Sequence, residues 1–174
     1  AEADPTLDVG GFDAAHKLAL LASLAFGMPL QFDKITIEGI AAVQPIDQHL
    51  AARLGYAIKS LAVARRQADG VELRVHPALV PLSSLIARVD GAMNGILVGS
   101  DAAGLTMHYG AGAGSEQTAS AVIADLIDIA RLGHAHAQHA VPSLGVQPEA
   151  LTELPVIPSD EIITRHFLRV PLAG

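Results

Sequence analysis

Residues 57–75 read AIKSLAVARRQADGVELRV, two alternating runs (57–67 and 71–75) on either side of Asp69-Gly70. An Asp-Gly pair between alternating runs is a strong short-turn signal, so the two strands are expected to be antiparallel neighbours. His76-Pro77 reads as the end of the second strand. A second hairpin is expected from 92–99 (AMNGILVG) and 105–109 (LTMHY), turning around 100–104. Strands that meet through a few residues argue against a doubly wound parallel sheet, whose strands need long crossovers.

The stretches outside the hairpins supply helices and one more strand. Phe12 to Phe26 carries Leu18, Leu21 and Ala25 at helical spacing, and Gly27 with Pro29 stops it. Phe32 to Gly39 (FDKITIEG) alternates like a strand. Pro45 opens a short helix with Ile46, Leu50 and Leu54 on one face, and Pro81 to Val89 reads as another. After Gly110–Gly114 (GAGAG), a long helix is expected from Ser115 to Leu132. The proline-bearing stretch from His134 to Glu161 reads as a surface excursion, and Ile162 to Val170 as one further strand. The expected class is α+β, a mixed or antiparallel sheet covered by helices. Residues 1–133 are read as the domain proper and 134–174 as a C-terminal linker extension.

Composition narrows the function classes. The 174 residues are 51% hydrophobic and 17% charged, with a mean hydropathy of +0.39. That composition excludes disorder and points to one large core or to a surface buried on a partner. Eleven Lys and Arg against 18 Asp and Glu give a net charge of −7, the wrong sign for a phosphate backbone. The absence of cysteine excludes thiolate metal sites and Cys nucleophiles. Leu18 to Leu30, the longest apolar stretch, is broken by Ser23, Gly27 and Pro29 and falls short of the roughly 20 residues a membrane span needs. With an acidic start at Glu2 and Asp4, unlike a signal peptide, the expectation is a soluble cytoplasmic protein.

The chemistry concentrates at the front of the chain. Asp13 and Lys17 stand four residues apart on one helix, so they share a face, and Glu2, Asp4 and Asp8 precede them. An exposed ion pair with acids near a helix N-terminus accounts for this spacing alone. The alternative is a lysine acting as general acid beside carboxylates that bind a cationic amine.

The run Asp4-Pro5-x-x-Asp8-Val9-x-Gly11-x-Asp13-x-x-x-Lys17 resembles the signature of the homoserine dehydrogenases. Similar stretches occur at Leu54-Gly55-Tyr56, at Val75-His76-Pro77 through Pro81, and at 110–125 (GAGAGSEQTASAVIAD). The resemblance implies an enzyme that interconverts L-aspartate 4-semialdehyde and L-homoserine with NAD or NADP, on the way to threonine, methionine and isoleucine. It implies that Lys17 is the proton donor, that Glu2, Asp8 and Asp13 serve the substrate, and that Gly114 touches the cofactor. It also implies a homodimer, with this region as its substrate and dimerisation domain. No metal is expected.

Gly110–Ser115 is G-x-G-x-G and differs from the G-x-G-x-x-G of a dinucleotide fold, and no β-α-β unit follows it. The chain is therefore expected to lack the Rossmann domain, which would hold most of the cofactor, and to be inactive by itself. His134, His136 and His139 lack carboxylate partners at ligand spacing and read as a solvated helix end. A different class of function is a noncatalytic dimerisation or amino-acid-binding domain.

Overall fold

The computed structural model describes residues 5–132, 142 and 145–170, which form two compact units. The first unit comprises residues 1–80 and 142–174, the second residues 81–141.

In the first unit, α1 (Thr6–Val9) is a single turn and α2 (Phe12–Phe26) is the main helix, with the bounds its periodicity predicts. Ala15, Leu18, Ala19 and Ala22 recur every three or four residues and are buried, so α2 turns one stripe inward, but it shares only Leu18 with the expected stripe, since Leu21 and Ala25 are exposed. Ser23 closes the helix: its Oγ donates to the Met28 carbonyl at 2.6 Å, with both residues buried. The sheet has the order β1-β3-β2, built from β1 (Thr36–Ile37), β2 (Tyr56–Gln67) and β3 (Gly70–Pro81). β1 runs parallel to β3, with Thr36 opposite Arg74 and Ile37 opposite Val75. Val71, Leu73 and Val75 alternate along β3 and meet the buried stripe of α2 in one core. α3 (Pro45–Arg53) is fastened at its start by the Gln44 N–H, which donates to Asp47 Oδ2 at 2.9 Å.

Several expectations need correction. β3 does not stop at His76-Pro77 but continues to Pro81, and its turn is Ala68-Asp69, with Gly70 already in the strand. Pro77 ends the neighbour instead. The ladder to β1 finishes with Glu38 N–H donating to the Val75 carbonyl at 2.8 Å, and the next β3 position facing β1 is Pro77, which has no N–H to give. Residues 32–39 are a strand only at 36–37. Phe32–Lys34 is a tight helical turn, where the Phe32 ring stacks on His16 at 4.2 Å and Lys34 Nζ donates to Gln31 Oε1. Pro81 to Val89 holds only the single turn Leu85–Arg88. Residues 162–170 form no strand.

That last segment finds no place beside β3, the middle strand of the sheet. One edge of β3 is taken by β2 and the other by β1 and by Val156, which bridges to Val71. Residues 154–157 come from the stretch read as a surface excursion, yet Leu154 is buried and its carbonyl accepts a hydrogen bond from Gln31 Nε2 at 3.0 Å. Arg169 meanwhile reaches α3, with Nε 2.6 Å from Asp47 Oδ1 and Nη2 donating to Gln44 Oε1 at 2.8 Å.

The second unit holds an antiparallel hairpin, β4 (Met93–Ser100) and β5 (Gly104–Ala111), in continuous register from Met93 opposite Ala111 to Ser100 opposite Gly104. α4 (Ser115–Leu132) follows the glycine run. Among the described residues of this unit only Ala87 is a buried hydrophobic, while Val122, Ile123, Leu126 and Ile129 of α4 are all more than half exposed. Both units together give an α+β fold with a mixed sheet, as the turn spacing implies.

Candidate active site

Helical geometry builds the central pair. Residues four apart lie one turn above each other, and Lys17 Nζ sits 2.5 Å from Asp13 Oδ2. The pair stands on the outward face of α2, while Ala15, Leu18 and Ala19 point inward, so the buried stripe fixes where the polar pair projects. Both side chains are open to solvent, Lys17 at 65% and Asp13 at 44%. An amine held against a carboxylate on an open face can give or take a proton from a bound molecule.

Asp8 lies on α1 and not on a loop, and its side chain is exposed. Among the described residues it joins neither Asp13 nor Lys17 by a hydrogen bond or ion pair. The backbone relates them instead: Gly11 N–H donates to the Asp8 carbonyl at 3.1 Å, and α2 starts at the next residue. Glu2 and Asp4 fall outside the described residues, as do His134, His136 and His139.

Gly114 belongs to the second unit, at the start of α4, where its carbonyl accepts from Thr118 N–H at 3.0 Å. Its φ is +130°, a conformation that side chains disfavour, and the Gln117 carboxamide fills the space a Cβ would take. The Asn94 carboxamide lies likewise over Gly112, whereas a Cβ at Gly110 would meet nothing within 4 Å. On its Cβ side the backbone of the run is therefore open only at Gly110, with Asn94 and Gln117 lying against the other two glycines. Asn94 and Gln117 are neighbours that motif spacing did not single out. Among the described residues no three His, Asp or Glu side chains gather as a metal site.

A family model of homoserine dehydrogenase matches residues 1–127. The chain belongs to the homoserine dehydrogenase family. The homoserine dehydrogenase of Pseudomonas aeruginosa is 53% identical over 170 residues, covering 98% of this chain and 39% of that protein. A crystal structure of a homoserine dehydrogenase from Thiobacillus denitrificans superposes with a TM-score of 0.88 at 54% identity, over 93% of this chain and 38% of that one. A hyperthermophilic archaeal homoserine dehydrogenase mutant in complex with NADPH is more distant, with a TM-score of 0.57 and 26% identity over 79% of this chain and 38% of that one. The chain thus spans about two fifths of the length of such homoserine dehydrogenases. No described helix is long and apolar enough to cross a membrane.

Proposed function

We propose that this chain is the substrate-binding part of a cytoplasmic oxidoreductase that interconverts L-aspartate 4-semialdehyde and L-homoserine with NAD or NADP. The Asp13–Lys17 pair, 2.5 Å apart inside the matched region, carries the reading. When bound, the dinucleotide would supply or accept the hydride at the substrate carbon. What remains for this chain is the proton. Lys17 would give it to the oxygen as the alcohol forms, and take it back in the reverse direction. Its positive charge would also stabilise that oxygen while negative charge develops there. Asp13, with Glu2 and Asp8, would accept hydrogen bonds from the substrate ammonium or hydroxyl.

In the same reading, Gly114, whose φ of +130° side chains disfavour, offers backbone to the nicotinamide end of the cofactor. Residues 1–133 form the substrate domain and 134–174 its extension, part of which lies back on the core at Leu154. The working form is a homodimer. The exposed apolar side chains of α2 (Leu20, Leu24) and α4 support a buried partner surface. The test is the full-length protein assayed for homoserine-dependent reduction of NAD and of NADP. Activity with either supports the reading, and inactivity with both refutes it.

A further inference from the structure

We infer that Gly39 is a positioning residue for the acid–lysine site, acting through the junction between α1 and α2. The inference rests on the proposed substrate role of Asp8, Asp13 and Lys17. Asp8 belongs to α1 and the other two to α2, and only 10–11 separate the helices. Whatever fixes that junction therefore fixes the acid of one helix against the pair on the other.

The fixing element is the segment that leaves β1. Glu38 N–H still donates to Val75 of β3, so the segment starts from the sheet. Two residues later, Ile40 N–H donates to the Val9 carbonyl, the last residue of α1, at 2.9 Å. Gly39 lies between these two bonds. A Cβ placed on it would stand 2.5 Å from the Val9 oxygen and 3.0 Å from Gly10 Cα. Both obstacles are backbone, which cannot swing aside as a side-chain tip can. Gly39 is not among the glycines with positive φ, so what demands glycine here is space. A methyl group at 39 must push the junction away from the sheet or break the Ile40–Val9 bond. Either change alters the placement of Asp8 relative to Asp13 and Lys17 while leaving the buried stripe of α2 in place.

The experiment compares Gly39→Ala with Gly99→Ala in the full-length protein. A Cβ at Gly99 meets nothing within 4 Å, so that variant controls for loss of a glycine as such. Gly39→Ala should raise the KM for homoserine about tenfold or more, the usual scale for misplaced binding groups, with the KM for the dinucleotide changed less than about twofold. Gly99→Ala should match wild type. A general loss of structure would instead lower both affinities and the folded fraction together. Should Gly39→Ala fail to fold, wild-type protein decides the matter by hydrogen exchange. A contact that aids homoserine binding must itself be strengthened by homoserine, so the Ile40 amide should exchange more slowly when homoserine is present. An active wild type whose Gly39→Ala variant keeps its homoserine KM, or whose Ile40 amide ignores homoserine, overturns the inference alone. A wild type that cannot oxidise homoserine overturns the underlying reading and this inference with it.

Discussion

Lys17 and Asp13 touch across one turn of α2, Nζ to Oδ2 at 2.5 Å, on a face that the core does not use. An exposed pair at this spacing adds only about 0.5 kcal/mol or less to stability. Its placement therefore has little to do with holding the fold, and stability and activity separate cleanly here. Lys17→Ala in the full-length protein should leave Tm nearly unchanged and lower kcat for homoserine oxidation by about 100-fold or more, the usual worth of a general acid or base. Steady-state kinetics beside a thermal melt checks both halves. A kcat close to wild type removes Lys17 from the chemistry.

Asp13→Asn should act differently, because the proposed role of Asp13 is binding. The amide keeps the shape and one acceptor but loses the charge that attracts an ammonium group. The KM for homoserine should rise about tenfold, the scale of a lost charge-assisted hydrogen bond, with a smaller effect on kcat. A variant that loses kcat and keeps KM would assign Asp13 to tuning Lys17 and not to the substrate.

Glu72 is the one acidic residue buried among the described residues. It sits on β3 between Val71 and Leu73, facing away from α2, and its side chain is 1% exposed. Arg74 Nε lies 2.6 Å from its Oε1, without the alignment of a hydrogen bond, and Gln67 Nε2 donates to its Oε2 at 3.1 Å. Glu72→Ala would leave Arg74 mostly buried without its counter-charge, and should cost about 3–5 kcal/mol in denaturant unfolding. The double variant Glu72→Met with Arg74→Met should recover most of that loss, since it leaves no buried charge unpaired; Arg65, 3.9 Å from Glu72 Oε2, is 65% exposed and stays solvated. A single variant within about 1 kcal/mol of wild type would mean that water reaches this pair.

Local signals were legible where one element decides its own structure. The bounds of α2 and α4 and the presence of both hairpins follow from periodicity and turn residues, and the Asp13–Lys17 contact follows from helix geometry once α2 is placed. The buried face of α2 does not follow: Leu21 and Ala25 carry the helical spacing yet are exposed, and Ala15, Ala19 and Ala22 are buried beside Leu18. The misses are tertiary. Pro77 reads as a strand terminator, but the strand it terminates is β1, which no pattern in 70–81 could reveal. Ile162–Val170 has the alternation of a strand, yet the edges of β3 were already occupied and a side chain, Arg169, became its anchor. Leu154 enters the core from among prolines because Gln31, 123 residues earlier, takes its carbonyl. At the site, the role of the junction glycine depends on Val9 meeting Gly39, a contact that spacing along the chain does not encode.

The Arg169 anchor gives the last prediction, a pH dependence. The Arg169 guanidinium, and after it the Gln44 N–H, hold the Asp47 carboxyl below the usual aspartate value. A carboxyl with a lower pKa in the folded state binds protons less readily than it does in the unfolded chain, so stability should rise with pH through this range. The stabilisation is fully present above the unfolded value, near pH 4, and disappears as pH falls through the lower folded one. Arg169→Gln removes the main cause, so the Asp47 titration should move up toward the ordinary value. The stability gap between wild type and variant should be open at pH 6 and close as the solution is acidified past the folded pKa. Carboxyl chemical shifts followed by NMR, with denaturant unfolding at both ends of the range, measure the two effects. A gap that persists unchanged in acid would place the contribution of Arg169 in its bond to Gln44 Oε1, which does not titrate.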